Sequence, residues 1–284
     1  MDILEVKNIN KQFNNFSLKD ISFSLPQGYI MGYVGQNGAG KTTSLNLITQ
    51  LLKSDSGEIK INGITHDDNP IIYKESIGFI GDESYFPQEF TIRDIRNILK
   101  DFYPSFREKE FTSLVRKWNL PENKKISEYS KGMKVKLMFA DVLSRDTKLL
   151  ILDEATNGLD PVIRDEVLSL LQEYISDGTR SVLFSTHIMS DLEQIADYIF
   201  FINDGKKVMC DLKDDIIDNY VIVKGGNEDL TKEIKKDIIG LVQTSMGFEG
   251  LLNSEKGVYL PKGFLIEKPT IDQIVVHFIR SMKK

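Results

Sequence analysis

Gly35–Gln36–Asn37–Gly38–Ala39–Gly40–Lys41–Thr42 decides the fold. The stretch has the spacing GxxxxGK[ST], follows the short apolar run Tyr29 to Val34, and leads into a segment of helical character, Ser44 to Leu52. Strand, glycine-rich loop and helix in that order form a phosphate cradle. Glycines let successive backbone N–H groups turn inward, and the new helix adds the positive end of its dipole. Lys41 then reaches the β- and γ-phosphates and Thr42 offers its hydroxyl to Mg²⁺. Candidate nucleotide contacts are Gly35, Asn37, Gly38, Ala39, Gly40, Lys41, Thr42 and the adjoining Thr43. A plain glycine-rich turn leaves the Lys–Thr pair unexplained. A dinucleotide loop counted from Gly38 needs a third glycine where Thr43 stands. The spacing therefore favours a nucleoside triphosphate.

Upstream, apolar residues alternate through Ile3, Val6 and Ile9 and again from Leu18 to Leu25, which predicts antiparallel strands closed by Pro26–Gln27–Gly28. Downstream, Glu58 to Asn62 and Ile77 to Ile80 read as strands. Thr91 to Phe102, capped by Thr91 and Asp94, and Phe106 to Trp118 read as helices. A helix of about four turns from Ser130, a strand at Leu149 to Leu152, a helix over Val162 to Ile175 and a strand at Ser181 to Ser185 follow. That alternation predicts a parallel sheet. Near residue 215 the character changes to a short strand at Tyr220 to Val223, a Gly225–Gly226 break, a charged helix from Asp229 and a last amphipathic helix, Ile271 to Met282. The expected fold is α/β, with an antiparallel β start, a helical insertion and a small C-terminal α+β extension.

The strand Leu149–Leu152 ends in Asp153–Glu154. Both acids then stand at the carboxyl edge of the sheet, where open α/β sheets bind ligands. Asp153 is the candidate to hold Mg²⁺. Glu154 is the candidate to orient the attacking water or take its proton.

Composition sets outer limits. Over 284 residues, 36 Lys and Arg face 42 Asp and Glu, and a net charge of -6 gives no general attraction to nucleic acid or to an anionic membrane. Cys210 is the only cysteine, which excludes an internal disulfide and a cysteine-built zinc site. No apolar run is long enough to span a bilayer, so a soluble chain is expected. His66 sits in a polar turn and reads as solvated, and His277 receives no role.

With these motifs in place, residues 2 to 215 resemble the ATP-binding subunit of a bacterial ABC transporter. The most specific element is Tyr129–Ser130–Lys131–Gly132–Met133, which is similar to a variant of that family's signature. The resemblance implies a P-loop NTPase of ABC type. Residues 1–215 would form its ATPase domain, with a helical subdomain at about 88–147, and residues 216–284 an accessory domain. ATP and Mg²⁺ are the implied cofactors, and a homodimer or heterodimer of such subunits the implied assembly. Ser130 and Gly132 would close on the γ-phosphate held by the opposite protomer. Asn157–Gly158–Leu159–Asp160 resembles the loop that links the two sites, which puts Asp160 among the nucleotide residues. His187, in Ser185–Thr186–His187, resembles the histidine that contacts the γ-phosphate. Glu154, His187 and Lys41 form the implied catalytic set. Phe13 stands where an aromatic stacks on adenine, although a core phenylalanine in a hairpin fits the sequence as well.

One position departs from the family pattern. A glutamine is expected after Ile77–Gly78–Phe79–Ile80, yet the chain reads Gly81–Asp82–Glu83. A carboxylate still ligates Mg²⁺, so Asp82 joins Thr42 and Asp153 as a candidate metal ligand. The resemblance further implies a membrane permease on a separate chain, and a place at the cytoplasmic face of the plasma membrane. No nucleic-acid partner is expected. Among such exporters, those of amphipathic peptides, the phenol-soluble modulin and lantibiotic-immunity types, are similar in the YSKGM signature and in the tail. Two other classes are weighed: a soluble ABC ATPase acting on ribosomes or DNA, and a non-hydrolysing nucleotide sensor. A GTPase is disfavoured, because Asn123–Lys124–Lys125–Ile126 lacks the acid that reads guanine.

Overall fold

The computed structural model describes residues 1–257, 260 and 263–283. The chain opens with β1 (Asp2–Gln12) and β2 (Ser17–Pro26), then β3 (Ile30–Val34), α1 (Lys41–Ile48), β4 (Ser56–Ile61) and β5 (Ile64–Thr65). Next come α2 (Pro70–Glu75), β6 (Ile77–Gly81), α3 (Ile92–Phe102), α4 (Glu108–Lys117) and α5 (Lys131–Leu143). The second half of the main unit holds β7 (Leu149–Asp153), α6 (Pro161–Ile175), β8 (Ser181–Ser185), α7 (Met189–Ile195), β9 (Tyr198–Asn203) and β10 (Lys206–Leu212). After α8 (Lys213–Asp218) come β11 (Tyr220–Gly225), α9 (Lys232–Asp237), β12 (Ile239–Thr244), β13 (Gly247–Asn253), α10 (Ser254–Gly257), β14 (Leu265–Glu267) and α11 (Ile271–Met282). None of these helices is long and apolar enough to cross a membrane.

Three sheets result. The first is antiparallel, in the order β2-β1-β4-β5, and the second runs β10-β9-β3-β8-β7-β6. In that second sheet β9, β3, β8, β7 and β6 are parallel and β10 is an antiparallel edge. The phosphate-loop strand β3 and the acid strand β7 do not touch, because β8 lies between them. This order brings the loops after β3, β7 and β8 to one carboxyl edge, where open α/β sheets bind ligands. The third sheet, β12-β13-β11-β14, belongs to the C-terminal segment.

β3 is buried at every position because the sheet is covered on both faces. One cover is the β1–β2 hairpin, where Tyr33 stacks on Phe200 at 4.7 Å and Phe23 packs on Phe200 at 4.6 Å. The other holds Val135, Met138 and Phe139 of α5 with Val167 and Leu171 of α6. Truncating a buried ring such as Phe200 would cost about 3–5 kcal/mol.

The expected helix at Ser44 to Leu52 is displaced toward the loop. It starts at Lys41, because Gly40 at φ 110 turns the chain directly into helical geometry without a side-chain cap, and it ends at Ile48, before Gln50 at φ 58. The charged helix expected from Asp229 begins at Lys232, where the Thr231 hydroxyl accepts from the Ile234 N–H. Asn227–Asp229 is a single 3₁₀ turn. The capping box of Thr91 and Asp94 forms as expected, and Thr270 with Gln273 forms another at α11.

Candidate functional site

The phosphate loop is shaped by close approach more than by side chains. A Cβ at Gly35 would lie 2.6 Å from the Ile202 carbonyl oxygen. One at Gly40 would meet Leu18 Cδ2 at 2.7 Å and Phe16 Cζ at 2.9 Å, at a φ of 110° that L residues rarely adopt. Gly38, at φ 79, is open on its outer side. Lys41 is buried, and its Nζ donates to the Gly35 carbonyl at 2.8 Å and lies 3.8 Å from Glu154 Oε1. Burial pulls its ammonium below the usual lysine range, with Glu154 and Asp153 opposing. Thr42 is exposed and Thr43 half-buried.

The acid strand meets this loop from across β8. Asp153 pairs in register with Ser185, as Tyr33 does from the other side. Burial raises the Asp153 carboxyl above its usual range, against the lowering effect of the Thr42 and Ser185 hydroxyls. Its Oδ1 is buried without a hydrogen-bond partner. A buried carboxylate oxygen of that kind, beside an exposed threonine hydroxyl, is a hard-oxygen set that fits Mg²⁺.

Glu154 reverses the backbone at φ 54. Its carboxylate accepts from Asn157 Nδ2 at 2.6 Å, and Oε2 lies 3.4 Å from His187 Nδ1. Its amide donates to the Ser185 carbonyl at 2.8 Å. Lys41, Asp153, Glu154 and His187 are thus gathered at one sheet edge, with the exposed His187 ring facing solvent. A carboxylate held between a lysine and an imidazole is placed to take a proton from water beside a bound phosphate.

The remaining expected residues lie elsewhere. Ser130 caps α5 by accepting from the Met133 N–H at 3.3 Å. Gly132 packs on Ile163, where a Cβ would stand at an ordinary 3.4 Å. Among the described residues no hydrogen bond or ion pair joins Ser130 or Gly132 to the phosphate loop of the same chain. Asp160, expected to be a nucleotide residue, caps α6 within this chain: its Oδ1 accepts from the Val162 and Ile163 amides at 3.1 Å each. The Asp82 carboxylate, expected at the metal, is paired through Oδ1 with Lys131 of the signature segment. That placement follows from charge: Lys131 stands beside it at the start of α5.

Phe13 lies in the turn of the β1–β2 hairpin and is 37% exposed, which favours a free ring face over a core position. Phe16 was not singled out in the sequence, yet its ring is the one that touches Gly40. Asn157 was quoted only as part of a loop, and its hold on Glu154 has no local pattern to betray it. Also unforeseen is a buried ion pair, Asp141 with Arg145 at 2.8 Å, to which Tyr85 adds a 2.6 Å hydrogen bond. Buried His277 contacts the Gly240 carbonyl through Nδ1 at 2.9 Å and belongs to the C-terminal packing.

Comparison with known proteins agrees with this geometry. A family described as ABC transporter matches residues 18–157. The chain is 30% identical to the ABC transporter ATP-binding protein YtrB of Bacillus subtilis (strain 168), over 78% of this chain and 76% of that one. It is 30% identical to the bacitracin transport ATP-binding protein BcrA of Enterococcus faecalis, over 72% of this chain and 68% of that one. A solved ATP-binding subunit of an ABC transporter superposes with a TM-score of 0.70 at 28% identity, covering 75% of this chain and 91% of that one. A chain that shares this much sequence and this fold with such proteins belongs to the ATP-binding subunits of ABC transporters and hydrolyses ATP.

Proposed function

We propose that this ATPase powers a bacterial exporter of peptides or other amphipathic compounds, working through a permease on a separate chain at the cytoplasmic face of the membrane. The observation that carries the ATPase part is the Lys41–Glu154–His187 cluster at the edge of the sheet. The cargo class is supported by the likeness to a bacitracin transport protein. In hydrolysis, water attacks the γ-phosphorus as the bond to the bridging oxygen breaks, and the water proton passes to Glu154. Lys41 neutralises charge on the phosphates, and His187 keeps the Glu154 carboxylate aimed. Thr42 and Asp153 would hold Mg²⁺, which would supply charge neutralisation to the triphosphate.

Ser130 and Gly132 make a second anion site at the N-terminus of α5, and we read them, with Asp160, as acting across a head-to-tail dimer. Residues 1–215 are taken as the ATPase unit, with a helical part at about 88–147, and 216–284 as an accessory unit. The separate core of Val223, Ile238, Phe248 and Leu252 supports that division. For the permease, the apolar groove of Leu51, Phe79, Tyr85 and Tyr103, floored by Asp141 and Arg145, suits an amphipathic cytoplasmic helix.

Glu154→Gln should bind ATP, stop turnover and accumulate a dimer in light scattering. Wild-type turnover by that variant would remove Glu154 from the reaction. Leu51→Glu should lose the permease in affinity capture from detergent-solubilised membranes while the isolated subunit hydrolyses ATP normally. Capture of ribosomes in place of a membrane protein would sink the transporter partner.

A further inference from the structure

Among the described residues, seven non-glycine positions have positive φ, and five of them are Asn or Asp, whose short side chains bond locally and tolerate that geometry. Glu154 has no such help. Its strained turn must be held by its surroundings. Beyond the amide bond to Ser185, the hold runs through the next residues. Ala155 and Thr156 are fully buried, and the Thr156 hydroxyl donates to Asp191 Oδ2 at 3.0 Å.

Asp191 is itself fully buried, in the first turn of α7, four residues after His187. Its Oδ1 receives Arg164 Nε at 2.5 Å and is also paired with Nη2 of the same guanidinium. Arg164 lies in the first turns of α6 and donates in addition to Ser190 Oγ at 2.8 Å. One buried carboxylate therefore joins the turn that carries Glu154, the helix that follows Asp160, and the helix that follows His187. A carboxylate out of water needs both oxygens satisfied, and here each is taken by a different chain segment.

We propose that Asp191, neutralised by Arg164, is a positioning residue for ATP hydrolysis. Through Thr156 it fixes the reversed backbone of Glu154, and through α7 it fixes His187, so that the two side chains stay 3.4 Å apart. The proposal rests on the reading of Glu154 as the group that orients water, and it touches no atom of the nucleotide.

Removing Asp191 strands a buried guanidinium, so the decisive variant is the near-isosteric Thr156→Val, which deletes only the hydroxyl. In this 284-residue chain it should lower kcat by about 10-fold, as loosened alignment does. KM for ATP and the Kd of a fluorescent ATP analogue should stay near wild type, while Tm falls modestly because Asp191 Oδ2 loses its donor. Thr156→Ser, which restores the hydroxyl, should recover most of the rate. Wild-type kcat in Thr156→Val overturns the proposal. So does a loss of ATP affinity in step with kcat, or an equal defect in Thr156→Ser, since either marks a merely structural residue. If Glu154→Gln is inactive while Thr156→Val turns over normally, only the positioning role falls. If Glu154→Gln hydrolyses ATP, the reading of Glu154 fails instead.

Discussion

The phosphate loop and the acid turn face each other across one sheet edge, yet they are built by opposite means. The loop at Gly35 to Thr42 is backbone held in shape by glycines at positions where a Cβ would strike Ile202, Leu18 or Phe16. The turn at Asp153 to Asn157 is held by side chains: its own Asn157 on Glu154, and the distant Asp191 on Thr156. A cradle that binds a constant group, phosphate, is made from the constant part of the chain. A carboxylate proposed to orient one water is aimed by a particular set of partners. The two regions should fail differently, the first in binding and the second in rate.

The largest effect should come from Gly40→Ala. Positive φ and the approach of Phe16 and Leu18 distort the loop, and ATP affinity should drop by about 100-fold, or ~2.7 kcal/mol. Equilibrium binding checks this, and an unchanged Kd would mean that the loop tolerates a side chain there. Asn157→Ala should lower kcat by about 10-fold with little change in KM, because it frees one oxygen of Glu154 but leaves the loop intact. A rise in KM without a fall in kcat would erase the contrast between the regions.

Asp82 sharpens the comparison at the metal. With one oxygen engaged by Lys131, its removal should raise the Mg²⁺ concentration for half-maximal turnover by about 2–3-fold, well below the effect of Asp153→Asn. An unchanged Mg²⁺ titration for Asp82→Ala would take it out of the metal shell. The smallest effect is on stability. The Asp153 carboxyl is raised in the folded state from its usual 3.8, so the folded chain holds a proton that the unfolded chain has released. Stability therefore falls as pH rises through that window, and the penalty persists at neutral pH. Asp153→Asn should raise Tm modestly at pH 7, with the gain vanishing in acid below the unfolded value. A lower Tm at neutral pH would show that the carboxylate stabilises the fold.

The same contrast explains what could be read in advance. The phosphate loop, the acid strand and the strand ending at His187 were legible because each is contiguous: an apolar run, then a fixed set of chemical groups. The cap at Thr91 and the helix Ile271–Met282 were legible for the same reason. The start of α1 was misjudged by three residues, since an αL glycine opens a helix as effectively as a capping side chain. The pairing of Asp82 with Lys131 was not foreseen, because the two lie 49 residues apart. The cap that the Asp160 carboxylate makes on its own helix was likewise unforeseen. Phe16, Asn157 and the Asp141–Arg145 pair left no mark, for one ring, amide or ion pair among many has no periodicity.

By itself, the sequence determined that this chain grips a triphosphate and carries its acids at a sheet edge, because those tasks use neighbouring residues whose geometry follows from local backbone rules. Only the tertiary structure decided which strand separates the two motifs, what neutralises Asp82, and which buried carboxylate joins Thr156, Arg164 and the helix after His187. Those choices depend on segments brought together by burial of a shared core, and burial turns distant polar groups into obligatory partners.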